Sequence, residues 1–318
     1  MRVIDFGTVK ALRSQTLWHA LCRSMQHGDA PVLSFVRPAK PYVCIGYHRD
    51  IAEVDTDYCQ YNGLPVMRRM VGGGPVYCDE DQLFFQITVP AKDVPARRAT
   101  ALAALLTPAM RALRRLGVDA ELDRFTEITV GSAKVCGHGA GQMKEGVTVV
   151  GNLIGRFDHE RAARILRLDP EVRTVVEELM RRYVAATAVD PQRWQDAMVA
   201  EYAAHFGTAP REDTLTAGEA DEVERMDTRL LDADFVAGTA RPAKPVRTVK
   251  VRAGVWVHDW RAGDDRVVLG VAEGRVELAS GREHLAGLTL DEARMELERE
   301  RGAAPLVSAI RAAYAEVA

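Results

Sequence analysis

The chain has 318 residues, 47% hydrophobic and 27% charged, enough to bury a sizeable core in two domains, or in one large domain with an appendage, without metal or disulfide staples. With 42 basic against 45 acidic residues and a formal net charge of −3, it lacks the strongly basic balance of a nucleic-acid binder. Its cysteines (Cys22, Cys44, Cys59, Cys78 and Cys136) are odd in number and scattered, which fits neither a zinc knuckle nor a disulfide framework and suggests free thiols in a reducing compartment.

Residues 1–6 resemble a first strand without the long apolar core of a signal peptide. No apolar run reaches the ~18 residues of a membrane span, so a cytoplasmic, membrane-free protein is expected. Residues 12–26 carry Leu17, Ala20, Leu21 and Met25 at helical spacing. Two apolar runs, Pro31–Val36 and Tyr42–Tyr47, end at Pro-Ala-Lys-Pro and near Gly46, which favours strands. Ile51–Tyr61 reads as a helix leaving through Asn62-Gly63. Strands are expected at Leu64–Arg69, Val76–Tyr77 and Leu83–Val89.

From Ala96 to Leu116, leucines and Met110 mark one apolar helical face, which Pro108 is expected to kink or divide. Glu127–Val130 and Lys134–Val135 suggest a hairpin around Gly131-Ser132, and Gly146–Ile154 the next strand. Residues 158–206 are helical in pattern, with breaks near Asp169-Pro170 and Asp190-Pro191. The texture over 208–245 is that of a connector with little structure of its own. Strand patterns at Val249–Arg252, Gly254–Val257, Arg266–Val271 and Arg275–Leu278 follow. A capping box at Thr289 and Glu292 and a last helix over 305–316 complete a small α+β unit.

The most informative segment is Arg68-Arg69-Met70-Val71-Gly72-Gly73-Gly74. Three consecutive glycines cost about 0.5–1 kcal/mol each in a regular element, so they belong where a Cβ would obstruct a turn or a ligand. Such a loop can bring N–H groups to a phosphate or carboxylate beside Arg68 or Arg69, or simply connect two strands beneath surface arginines; composition leaves both open. It matches neither the phosphate loop nor the dinucleotide fingerprint. Lys134, set among small residues, reads alone as a solvated charge or as a cation for a recessed anion.

Taken together, Arg68 through Asp79 resembles the signature of the biotin/lipoate protein ligase superfamily, in its lipoate ligase and octanoyltransferase branch. Three further blocks agree in order: Ser14–Met25, Pro41–Tyr47 and Glu127–Gly137. The resemblance implies an α+β fold: a class II synthetase-like mixed/antiparallel β-sheet catalytic domain flanked by helices, plus a small α+β C-terminal accessory domain. The corresponding boundaries are 1–207, a connector over 208–245, and 246–318.

It further implies that ATP, with Mg2+, activates lipoate or octanoate as acyl-AMP (lipoyl-AMP for lipoate), and that the acyl group passes to a lysine of a lipoyl domain or a glycine-cleavage H-like carrier. Lys134 matches the family's catalytic lysine. Arg68, Arg69, Gly72, Gly73, Gly74, Val76, Tyr77, Asp79, Glu127, Gly137 and Gly46 are implied as substrate- or nucleotide-binding positions. A monomer is expected; the metal ligands are left open, with Asp79 read either as a loop-orienting or capping residue or as an aid to metal binding.

The sequence departs from the family pattern in having Cys78 where His is common, His138 within a glycine-rich stretch after the lysine, and Val150 before Gly151. These departures leave a rival reading, an ATP-independent acyl transferase working through a cysteine thioester, with Cys136 and Cys78 as candidate nucleophiles. A weakly catalytic carrier- or ligand-binding protein is the third reading.

Overall fold

The computed structural model describes residues 1–240, 246–300 and 302–315. The elements run β1 (Arg2–Val9), α1 (Ala11–Ser24), β2 (Val32–Pro38), β3 (Tyr42–Ile45), α2 (Thr56–Tyr61), β4 (Val66–Arg68), β5 (Val76–Cys78) and β6 (Gln82–Pro90). After α3 (Arg98–Arg115) come β7 (Ala120–Leu122), β8 (Ile128–Val130), β9 (Ala133–Met143) and β10 (Gly146–Ile154). Then follow α4 (His159–Arg164), α5 (Pro170–Tyr183), α6 (Pro191–Phe206), β11 (Arg211–Glu212), α7 (Ala217–Leu231) and α8 (Ala233–Ala237). The last elements are β12 (Val246–Arg252), β13 (Val255–Ala262), β14 (Asp265–Ala272), β15 (Arg275–Ser280), α9 (Leu290–Arg299) and α10 (Ala304–Ala315).

These elements form two compact units. The first joins Met1–Asp158 to Ala185–Thr239; the second joins His159–Val184 to the described residues from Ala240 onward. The first contains an eight-stranded mixed sheet in the order β11-β1-β2-β6-β10-β9-β8-β7, parallel at β11-β1-β2 and antiparallel beyond, and a small β4-β3-β5 sheet. Strict alternation divides the large sheet's residues. Leu33, Phe35, Leu83, Phe85, Ile87, Val149 and Leu153 pack with α3 and α6 on one face. Phe84 and Val36 turn to the other face, toward α1 and the small sheet.

Packing against α1 and pairing with β1 explain why 208–239 is ordered. Val223 and Met226 of α7 share a cluster with Leu17 and Ala20 of α1, while Arg2 pairs with Asp213 and Glu219. The connector's positions 241–245 and residue 316 of the last predicted helix lie outside the described residues. Pro108 sits inside one continuous α3 rather than dividing it. Side chains from α6 donate to carbonyls of that helix, Tyr202 Oη to Leu105 O at 2.6 Å and Trp194 Nε1 to Ala109 O at 3.4 Å. Residues 51–61 split into a short 3-10 turn and α2, because Asp50 and Asp55 each cap a separate start.

In the second unit, β12-β13-β14-β15 make an antiparallel sheet. Trp260, Val267, Leu269 and Val271 face Leu297, Leu306 and Ile310, whereas Gly270 gives α5 room on the opposite face through Val175 and Leu179.

Candidate functional site

The site is built around the loop joining β4 to β5. Both arginines before its glycines bind backbone oxygens. Arg68 is 2% exposed; its Nη1 donates to the carbonyls of Gly46, Tyr47 and Arg49, and its Nε and Nη2 donate to those of Phe235, Val236 and Ala237. Burial without a carboxylate partner in hydrogen-bonding contact holds its pKa below the ordinary arginine value. Arg69 curls under the loop, donating from Nη1 to Cys44 O and from Nη2 to Gly72 O and Gly74 O at 3.0 and 2.9 Å. The two guanidiniums therefore shape the loop.

The three glycines differ. Gly73 has φ +107, and a Cβ there would meet Arg69 Nη2 at 2.5 Å; around Gly72 and Gly74 a Cβ would meet nothing within 4 Å. Gly46 at the end of β3 lies directly against Gly73. The loop's outer positions thus border open space, its middle one packing. Val76 is exposed at the start of β5; Tyr77 is buried and accepts through its carbonyl from Gln82 Nε2.

Beneath the loop, Gly137 to Gly141 are not a loop. They belong to β9, paired residue by residue with β10. Glycine is needed there because neighbouring groups occupy the Cβ positions: Asn152 Oδ1 at 2.6 Å for Gly137, Val71 Cγ1 at 2.6 Å for Gly141. Asn152 Nδ2 donates to Gln82 Oε1 at 2.6 Å. Asp79, at the turn into β6, accepts from Asp81 N, and burial raises its carboxyl to about 6.

Lys134 owes its orientation to a bulge. The β8–β9 register jumps from Ile128↔Cys136 to Thr129↔Lys134, so Val135 is the extra residue. Val135 and Cys136 both join the core beneath α3, leaving Lys134 on the opposite face beside Thr129 and, two residues back along β8, Glu127. Among the described residues no hydrogen bond or ion pair holds the Lys134 ammonium. Glu127 Oε2 and Thr129 Oγ1 are buried without partners. An unpaired cation beside unsatisfied buried oxygens is an arrangement that a polar ligand can complete. No group of three or more His, Cys, Asp or Glu among the described residues could hold a metal ion.

The cysteines lie elsewhere. Cys136 is 1% exposed in the α3 core, and burial pushes its thiol up to about 12. Cys78 is packed with Tyr42, Cys44 and Phe84, and burial likewise raises it far above the usual thiol range. Neither is a thiolate at neutral pH. The sequence reading passed over Gln82, Asn152 and His19, whose Nε2 accepts from Met70 N at 2.9 Å. Alternation could have placed Gln82 and Asn152 on one face, but their pairing needs the β6–β10 register.

With this geometry in view, the chain belongs to the lipoyl protein ligase A/B catalytic domain family, which matches residues 10–201. It is 29% identical over 218 residues to lipoate-protein ligase A subunit 1 of Thermoplasma acidophilum, covering 63% of this chain and 81% of that protein. Its fold resembles one described for a bi-partite lipoate protein ligase and its E2 lipoyl domain from Thermoplasma acidophilum: TM-score 0.70, 24% identity, 76% of this chain and 98% of that one. A lipoate-protein ligase A bound with ATP matches with TM-score 0.65 and 25% identity, over 74% and 98% of the two chains. Among the described residues no helix is long and apolar enough to cross a membrane.

Proposed function

We propose that the protein is an ATP-dependent lipoate–protein ligase. Lipoate's carboxylate oxygen attacks the α-phosphorus of ATP and displaces pyrophosphate. A carrier lysine amine then attacks the acyl carbon of lipoyl-AMP, expelling AMP and releasing its extra proton to solvent. The observation that carries this reading is the unpaired Lys134 ammonium, turned by the bulge to the face shared with Glu127 and Thr129. It can bind the acyl oxygen and α-phosphate as negative charge develops. Gly72 and Gly74 give the loop side room for the adenylate, and Gly137 and Asn152 its floor. Mg2+ would travel with ATP, bound mainly by phosphate oxygens.

The relatives support the ligands and the acceptor: one is described as bound with ATP, another is described together with its E2 lipoyl domain. A lipoyl domain or an H-like carrier is the expected acceptor, and lipoate and octanoate are both candidate acids. The buried, protonated Cys78 and Cys136 count against the thioester route.

The deciding assay incubates the protein and a lipoyl domain with lipoate or octanoate and Mg·ATP, in parallel with an octanoyl-carrier thioester without ATP. Acylation only with ATP, accompanied by AMP release, supports the ligase. Acylation only from the thioester overturns it in favour of the transferase, and binding without turnover in both mixtures makes the protein a carrier- or ligand-binding member.

A further inference from the structure

The start of the glycine loop, just past the end of β4, is bonded on two sides. On one edge Arg69 N donates to Ile45 O at 2.9 Å and Val71 O accepts from Tyr47 N at 3.0 Å, both from the β3 side. Between them Met70 N makes no bond to the β3 side. Its acceptor is the imidazole Nε2 of His19, 51 residues earlier on α1.

His19 is fully buried and stacks on Trp18 with ring centroids 3.5 Å apart. Its Nδ1 lies 2.7 Å from Gln15 O, one turn back on the helix. Because Met70 N is a donor, Nε2 must be the bare nitrogen, so Nδ1 carries the proton and donates to Gln15 O. The ring is thus fixed at both nitrogens, and protonation would set N–H against N–H. Burial, with Arg69 and Arg23 nearby, keeps it neutral, with a pKa of about 3.

We infer that His19 is a positioning residue for the glycine loop, which through Met70 N–H holds the loop's inner edge to α1 and so fixes the pocket wall formed by Val71 to Gly74. Without that acceptor the loop loses its polar tie to α1. It is left with its β3 edge, the Arg69 bonds to Gly72 and Gly74, and the apolar packing of Val71 against Trp18, Gly139 and Gly141, which do not fix the direction of the Met70 peptide. The catalytic part of the inference rests on the ligase reading; the structural part does not.

Two variants test it. His19→Gln keeps an acceptor at similar reach, whereas His19→Leu leaves a part-buried N–H without its acceptor, an effect of about tenfold. In the ligand-free protein, the Met70 amide should exchange with solvent about tenfold faster in H19L and recover protection in H19Q. Nitrogen shifts of the wild-type ring should show the Nδ1–H tautomer. In lipoate-dependent pyrophosphate exchange, H19L should raise KM for lipoate about tenfold with a smaller change in kcat, and H19Q should restore most of it.

Unchanged Met70 exchange in H19L, or an H19Q protein no better than H19L, overturns the proposal. If the wild-type protein shows no lipoate-dependent exchange, the ligase reading fails, and Met70 protection still decides whether His19 anchors the loop.

Discussion

The carbonyl oxygen of Gly73 lies 2.0 Å from where a Cβ on Gly46 would stand. Backbone meets backbone at this point, so no side-chain rotation can relieve the contact. Gly46→Ala should destabilise the protein by about 1–3 kcal/mol and displace the loop. Gly72→Ala is its control, since a methyl there meets nothing within 4 Å. Thermal unfolding should separate the two: a lowered Tm for G46A, a near wild-type Tm for G72A with weakened ligand binding. Equal melting of both variants would contradict the packing account.

Asp79 links stability to pH. Its carboxyl is raised from 3.8 to about 6 chiefly by burial, with Asp81 and Glu80 adding repulsion. Between those values the folded state binds more protons than the unfolded one, so stability falls as pH rises through this window. Below about pH 4 both states are protonated and the penalty is absent; above about pH 6 it is fully present. Asp79→Asn should therefore melt progressively higher than wild type from pH 4 to 6, with a constant difference thereafter. A difference independent of pH would show that Asp79 is not the titrating group.

The two cysteines near the catalytic motifs should prove inert. With Cys136 pushed to about 12 and Cys78 higher, both are buried thiols across the assay range. A small thiol reagent at pH 8 should label the folded protein far more slowly than the unfolded chain. Cys78→Ala and Cys136→Ala should keep ATP-dependent carrier acylation while losing some stability to the small cavities they open. Loss of acylation in either variant, with Tm preserved, would show that the thiol takes part in the chemistry.

Much of this architecture is legible in the residues. The β-branched and aromatic residues of Leu83 to Val89 mark a strand, and the glycine triplet after Arg68-Arg69 locates the loop. The destinations of those arginines are not legible, because the carbonyls of Phe235 to Ala237 lie about 170 residues away in sequence and only the fold brings them together. Gly137 to Gly141 have no strand signature in sequence; they are a strand through pairing with β10, and Val71 and Asn152 fill the space side chains would take. The order over 208–239 has a similar origin: α7 is polar enough to pass for a connector until α1 supplies Arg13 and Arg23 for its acidic face.

Lys134 is the sharpest test of the site because, among the described residues, its side chain carries no structural bond. Replacing a half-buried, unpaired ammonium should leave folding within about 0.5 kcal/mol of wild type, unlike replacement of the fully bonded Arg68. If that ammonium stabilises charge on the acyl oxygen and α-phosphate, Lys134→Ala should cut lipoate-dependent pyrophosphate exchange by about 10²–10³ at unchanged Tm. Lys134→Arg keeps the charge but replaces a compact ammonium with a planar fork, so it should recover only part of the rate. Arg68→Ala should instead lower Tm, and its loss of activity should follow loop disorder. Full exchange in K134A would remove Lys134 from the chemistry and leave the bulge that aims it without a catalytic purpose.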